Sequence, residues 1–179
     1  MNDWLDAETR IERALELTDA QQWDEALAEL DAAIAINPGD PAWHAQRGQV
    51  LDQLERYEDA IEAYRAAIEL SPDDPELMTL LGIDLIRTEQ YTEAVRLYEK
   101  IAAAHPDYEP AYCHRIAAYT RLHDHDMAEQ MFYLAQQITQ DCPNCYHHLA
   151  ESLACRGQLQ KAIFCWQRAL ELEPEYPLA

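Results

Sequence analysis

The clearest potential for chemistry in this sequence lies in residues 141–148, which read DCPNCYHH. Two cysteines three residues apart, followed by two histidines, could bind a metal ion, because zinc accepts thiolate and imidazole ligands in tetrahedral sites. The same two thiols could instead form a redox-active pair or a reversible disulfide. All five cysteines and five of the seven histidines fall between residues 113 and 165, so further ligands could come from neighbouring segments.

The candidate metal-binding set is Cys113, Cys142, Cys145 and His148. A single C-x₂-C pair is weak evidence for zinc, because a reliable zinc signature contains a second pair at a defined distance. Cysteine is also an ordinary small buried residue. We therefore expect no cofactor: the reduced protein should carry no stoichiometric zinc and should fold without a metal.

The elements that must position these residues follow a period of 34. Pro38, Pro72 and Pro106 are separated by this interval, and Pro174 lies two periods further on. Every period has an alanine at one position and, in most cases, an aromatic residue four positions later. Such apolar spacing occurs twice per period with a turn between, which predicts a pair of packed helices. The chain then divides into five units: 7–40, 41–74, 75–108, 109–142 and 143–176.

This pattern resembles the tetratricopeptide repeat, whose signature runs W-x₂-L-G-x₂-Y, then A-x₃-F, then P. Within the chain the closest match is the segment from Gly48 to Pro72, GQVLDQLERYEDAIEAYRAAIELSP. The resemblance implies an all-α fold, a right-handed α-solenoid of stacked helix-turn-helix units that forms one domain over residues 1–179. It also implies a concave face, lined by the first helix of each unit, where partners bind.

In this register the DCPNCYHH stretch begins the first helix of the fifth unit. Cys142 occupies the position of Asp40 and Asp74, where an acidic side chain caps a helix, and Pro143 takes the first helical position. A helix start therefore explains the stretch without any chemistry. A cysteine at a helix N-terminus has a lowered pKa, so Cys142 is predicted to be the most reactive thiol.

The net charge of −21, from 34 acidic and 13 basic residues, excludes some classes of partner. Phosphate backbones and anionic lipid headgroups are repelled by such a surface, so we expect no nucleic acid and no membrane insertion. A basic or neutral protein or peptide is favoured. The N-terminus does not resemble a signal peptide, and an odd number of cysteines fits reduced thiols, so we expect a cytoplasmic protein.

No phosphate-binding loop and no nucleophile motif occurs in the sequence, so we predict that the protein is not an enzyme. The predicted function is a scaffold or adaptor that binds a peptide or a partner segment in the groove of the concave face. The alternatives are an acidic chaperone of a secreted bacterial protein and a metal- or redox-responsive sensor that uses residues 113–148.

The family's groove positions define the predicted binding surface. Its middle is apolar and is flanked by arginines, which suits a side chain inserted from an extended or helical peptide. The predicted groove residues are Gln49, Leu80, Ile83, Ile86, Arg87, Ala117, Arg121, His147 and Glu151.

Three apolar residues of the last predicted helix occupy positions that meet the next unit in the earlier repeats. They are Leu159, Ile163 and Leu170. Because an uncovered apolar stripe usually marks an interface, we predict a homodimer formed through this helix.

Overall fold

The computed structural model describes residues 3–175, which form ten α-helices and contain no strand. Four of the five predicted units begin at the first residue of a helix, at Pro41, Pro75, Glu109 and Pro143, so the prediction of an all-α helical-repeat fold is confirmed. The helices are α1 (Asp3–Asp19), α2 (Trp23–Ile36), α3 (Pro41–Gln53), α4 (Tyr57–Leu70), α5 (Pro75–Arg87), α6 (Tyr91–Ala104), α7 (Glu109–Arg121), α8 (His125–Ile138), α9 (Pro143–Cys155) and α10 (Leu159–Leu172).

The helices group into two compact units, Met1–Thr88 and Glu89–Ala179. In the first unit, α2 packs against α1 and α3, and α4 packs against α3 and α5. In the second unit, α7 packs against α6, α8 and α9, and α9 also packs against α8 and α10. The boundary between the units falls inside the third predicted repeat. A single domain of five repeats remains a prediction, and its last boundary, at residue 176, lies outside the described residues.

The turn between the two helices of each repeat contains one residue with positive φ, and these residues recur every 34 positions. In the second repeat this residue is Glu55. The backbone N–H of the following residue, Arg56, donates to the carbonyl of Leu51 at 2.9 Å, as in a Schellman motif. Glycine adopts this conformation without steric cost, yet only one of the five positions has it. Helix packing therefore imposes the turn. The residues are Gln21, Glu55, Glu89, His123 and Gly157.

The core of each hairpin combines small and bulky residues. Alanine at the repeated position is 0% exposed in all five repeats, at residues 26, 60, 94, 128 and 162. Two of the large residues that follow, Tyr64 and Tyr98, are also fully buried. The small side chain lets two helices approach closely, and the large one fills the remaining space at the density of a protein interior. None of the described helices has the length and apolar character needed to cross a membrane.

Candidate functional site

A cleft of about 400 Å³ opens in the first unit between α1 and α3; we call it the α1–α3 cleft. Its apolar lining includes Leu15, which is 45% exposed, and Val50. Positions 15 and 49 are equivalent in the repeat, and both belong to the face that the tetratricopeptide resemblance assigns to the groove. The predicted groove residue Gln49 lines this cleft.

Three glutamines of α3, Gln46, Gln49 and Gln53, line the polar side of the α1–α3 cleft. Residues spaced three and four apart share one face of a helix, so their amides follow the cleft along its length. The side-chain oxygen of Gln46 is buried and has no hydrogen-bond partner within the described residues. Because a primary amide both donates and accepts hydrogen bonds, this row matches the groups of a peptide backbone. The sequence had identified only Gln49 among the three.

The predicted middle of the groove lies on α5, where Leu80, Ile83 and Ile86 are half-buried. Arg87 ends this helix and is 45% exposed at its side chain. Its guanidinium nevertheless has partners inside the first unit. One nitrogen lies 2.9 Å from Asp84 and also hydrogen-bonds Asp52, and the group lies 5.1 Å from the ring centre of Tyr57. Arg87 therefore belongs to an internal ion-pair network.

Asp84 is the buried centre of this network, with no exposed surface. Burial, together with hydrogen bonding to Asp52, raises the pKa of Asp84 to about 7, against the opposing effect of Arg87. One of its carboxylate oxygens has no hydrogen-bond partner among the described residues. Tyr64 donates its hydroxyl to Asp52 at 3.2 Å. This part of the first unit thus contains two adjacent carboxyl groups held by one arginine.

The predicted groove residues of the second unit lie on α7 and α9. Ala117 is half-buried, and Arg121 lies 3.7 Å from Glu151. His147 is buried, and burial lowers its pKa. His148 approaches a carboxylate oxygen of Glu151 to 3.2 Å, and this hydrogen bond is the first cause of the lowered pKa of Glu151. These two histidines and Glu151 bring possible metal ligands within 4.8 Å of one another.

A second group of possible ligands contains three of the four residues singled out from the sequence. The ligand atoms of Glu109, Cys113, Cys142 and Cys145 all lie within 4.8 Å of one another, and we call these residues the cysteine–glutamate cluster. His148 is not part of it. Glu109 was missed because an acidic residue in the first turn of a helix is explained by the helix dipole. Its signal was the spacing of four from Cys113, which places both on one face of α7.

Hydrogen bonds connect the cysteine–glutamate cluster. Cys142 caps α9, its sulfur accepting from the backbone N–H of Cys145 at 3.3 Å, and the Cys145 thiol donates to Glu109 at 2.8 Å. Hydrogen bonding to Cys113 and then to Cys145 lowers the pKa of Cys142. Burial raises the pKa of Glu109 to about 7. The arrangement concentrates groups that can become negative at the N-terminus of a helix.

The last helix presents apolar side chains to solvent. Leu159 is 60% exposed, Ile163 49% and Leu170 36%, as the sequence pattern suggested. Phe164, which the sequence reasoning missed, is 64% exposed. An aromatic ring at position 164 lies outside the repeat's periodic apolar positions, so the repeat pattern gave no signal for it.

Three family models, each described as tetratricopeptide repeat, match residues 11–75, 53–119 and 143–176. Solved structures similar to this chain include MamA from Desulfovibrio magneticus RS-1, with 20% identity and a TM-score of 0.80, covering 96% of this chain and 97% of that chain. YrrB, described as a TPR protein with an unusual peptide-binding site, has 19% identity and a TM-score of 0.71, covering 96% and 88%.

A third similar structure is TTC0263, a thermophilic TPR protein from Thermus thermophilus, with 22% identity and a TM-score of 0.73, covering 94% of this chain and 92% of that chain. At these identities the likeness shows a shared fold alone. No curated protein matches the chain significantly.

Proposed function

The chain belongs to the tetratricopeptide repeat family, and from this premise we propose that it is a non-enzymatic scaffold that binds a peptide or a partner segment. The observation that carries the proposal is the α1–α3 cleft, where exposed apolar surface at Leu15 adjoins the row of three glutamine amides. An apolar anchor fixed by a few convergent polar groups is the usual composition of a binding site. The peptide-binding site described for YrrB supports the same role.

The proposed partner is a basic or neutral peptide, or a segment of a protein, in the cytoplasm. A net charge of −21 attracts a basic segment over long range and raises its rate of association. The glutamines would bind its backbone, and an apolar side chain would contact Leu15 and Val50. The other predicted groove positions, on α5 in the first unit and on α7 and α9 in the second, remain candidates for further contacts.

We expect Leu15→Asp to weaken peptide binding by about tenfold or more, because it places a charge in the apolar part of the cleft. Peptides are first selected from a random display library on the immobilised protein, and their affinities are then measured by fluorescence anisotropy. The matched control is Leu70→Asp, because Leu70 is 44% exposed, as against 45% for Leu15, but does not line the cleft.

Two outcomes would contradict this site. Equal loss of affinity in Leu15→Asp and Leu70→Asp would show that the charge acts nonspecifically. Loss of peptide affinity in Ile83→Glu and Ile86→Glu, with the affinity of Leu15→Asp unchanged, would place binding on α5.

Replacing Gln49 and Gln53 together by alanine should also weaken binding, because the amides hold the peptide backbone.

We further propose a homodimer through α10, supported by the exposure of Leu159, Ile163 and Phe164. Substituting Ile163→Glu together with Leu170→Glu should convert a dimer into a monomer, because buried unpaired charges would face each other across the two-fold axis. Light scattering over a range of micromolar concentrations measures the mass. Leu122→Glu, at a residue 39% exposed outside α10, is the control. A wild-type mass equal to one chain at all concentrations would reject the dimer.

A further inference from the structure

We propose that Glu109, Cys113, Cys142 and Cys145 form a tetrahedral binding site for zinc in the second unit. The proposal reverses the expectation of a metal-free protein, which rested on the isolation of a single C-x₂-C pair. The structure adds Glu109 to the three cysteines that the sequence had singled out. It also brings Glu109 and Cys113 close to the C-x₂-C pair, which lies about thirty residues further along the chain on a neighbouring helix.

The geometry of the cysteine–glutamate cluster suits four-coordinate zinc. Two ligands come from one face of α7, and two from the first turn of α9, which packs against it. With zinc–ligand bonds of about 2.0–2.3 Å, the donor atoms of a tetrahedral site are roughly 3.3–3.8 Å apart. The donors here lie within 4.8 Å of one another, so the largest adjustment is about 1–1.5 Å, which rotation of the side chains can supply.

The charge balance of the cluster favours a cation. Cys113, Cys142 and Cys145 are at most 8% exposed, and Glu109 is half-buried beside them. Among the described residues, no lysine or arginine forms an ion pair with Glu109. A half-buried carboxylate next to buried thiols that can ionise is unfavourable unless a positive charge compensates it. A divalent ion would provide that charge, and the thiols would release their protons on binding.

Folding of the repeat does not require these cysteines. The other repeats build the same positions from residues that have no thiol, and the residue type varies from one repeat to the next. The equivalents are Asp40, Asp74 and Tyr108 for Cys142; Trp43, Leu77 and Ala111 for Cys145; and Ile11, Ala45, Thr79 and His147 for Cys113. Helix packing therefore tolerates several residue types at these positions, and it does not by itself require a cysteine at all three of them in one place.

The chemistry of the ligands selects zinc over other common ions. Magnesium and calcium prefer sets of oxygen ligands, and this cluster offers only one carboxylate. Thiolates in a tetrahedral arrangement are typical of zinc sites. A closed set of four protein ligands also indicates a structural ion, which would tie α9 to α7.

The test uses the full chain, reduced and freed of metal with a chelator. Addition of zinc, followed by desalting and metal analysis, should give one zinc per chain. Addition of cobalt in its place should give the absorption bands of a tetrahedral cobalt–thiolate site, and zinc should abolish them. The absorption bands report sulfur ligation directly, so they do not depend on any activity of the protein.

Variants taken from the other repeats separate metal binding from folding. Cys113→Ala and Cys145→Leu restore residues that stand in equivalent positions, so helicity should be retained while zinc content falls below about one tenth of the wild-type value. Cys155→Ser and Cys165→Ser alter cysteines outside the cluster and should bind zinc normally. Circular dichroism confirms that each variant is folded.

Four results would overturn the proposal. The reduced protein could bind no zinc, or Cys113→Ala and Cys145→Leu could bind it as well as the wild type. Metal retained in those two variants but lost in His148→Ala would place the ion in the group formed by His147, His148 and Glu151. Loss of cobalt–thiolate bands in Cys165→Ser with retention in Cys145→Leu would equally exclude the cluster.

Discussion

Replacement of Arg87 by methionine is expected to lower the free energy of unfolding by about 2–3 kcal/mol at pH 8 and by much less at pH 5. At pH 8 Asp84 is ionised beside Arg87 in the wild type, whereas the variant must either keep two carboxylates together without a cation or take up a proton. Removing one partner of this ion pair is therefore destabilising at that pH. The expected loss of stability is smaller than for a fully buried ion pair because the Arg87 side chain is 45% exposed. Chemical denaturation followed by circular dichroism measures the free energy of unfolding.

The pH dependence follows from Asp84. Its pKa is raised from 3.8 to about 7 in the folded protein, so folding favours the protonated form of this group. Its contribution to stability is fully present below about pH 4 and is lost as the pH rises through 7. Without Arg87, Asp84 remains protonated at pH 5, and the repulsion between the two carboxyl groups is absent.

Two variants test this explanation. Asp84→Asn should remove the part of the pH dependence that Asp84 contributes, and in this background Arg87→Met should have the same effect at pH 5 and pH 8, because no titrating group remains at the buried position. Arg56→Met breaks an ion pair with Asp59 in which both side chains are half exposed, and it should change the free energy of unfolding by less than about 1 kcal/mol at either pH. Equal destabilisation by Arg87→Met at pH 5 and pH 8 would contradict the assigned role of Asp84.

The period of 34 predicted the helices well because each repeat solves one packing problem in one way. Proline at positions 41, 75 and 143 marks the first residue of a helix, and the repeated alanines mark the points of closest helix approach. The tight turns gave a weaker signal. Only one of these turns has glycine, the residue that favours positive φ, at position 157. Glu55 and His123 adopt positive φ under the constraint of the surrounding helices.

The candidate sites were predicted less completely, because a repeat pattern specifies the face of a residue and not its partners. Arg87 was predicted to flank the apolar middle of the groove. It pairs with Asp84 of its own helix and with Asp52, and the pair with Asp52 depends on the packing of a neighbouring repeat. Likewise, Glu109 stands where three of the other repeats have proline and the first has alanine, so alignment of the repeats suggests no shared role for it. Its approach to Cys145 becomes visible only when α7 and α9 are packed together.

Substitution of Gly48 by alanine is expected to lower the free energy of unfolding by about 2 kcal/mol, although alanine is the better helix former. A Cβ atom at this position would lie 2.5–2.8 Å from three ring carbons of Tyr64. That ring is fully buried and its hydroxyl is bonded to Asp52, so it cannot move away freely. Gly39→Ala is the control, because its Cβ would meet nothing closer than 3.6 Å.

The first repeat suggests how the loss at Gly48 can be reversed. It has Ala14 at the position of Gly48 and Leu30 at the position of Tyr64. The larger residue on the first helix of this repeat is thus accompanied by a smaller residue on the second helix. Tyr64→Leu alone should cost about 2 kcal/mol through the cavity it leaves. The double variant should be at least about 1 kcal/mol more stable than the sum of the two changes predicts, because the alanine methyl fills part of that cavity. Additive effects in a double-mutant cycle by urea denaturation would show that the two residues do not compete for the same space.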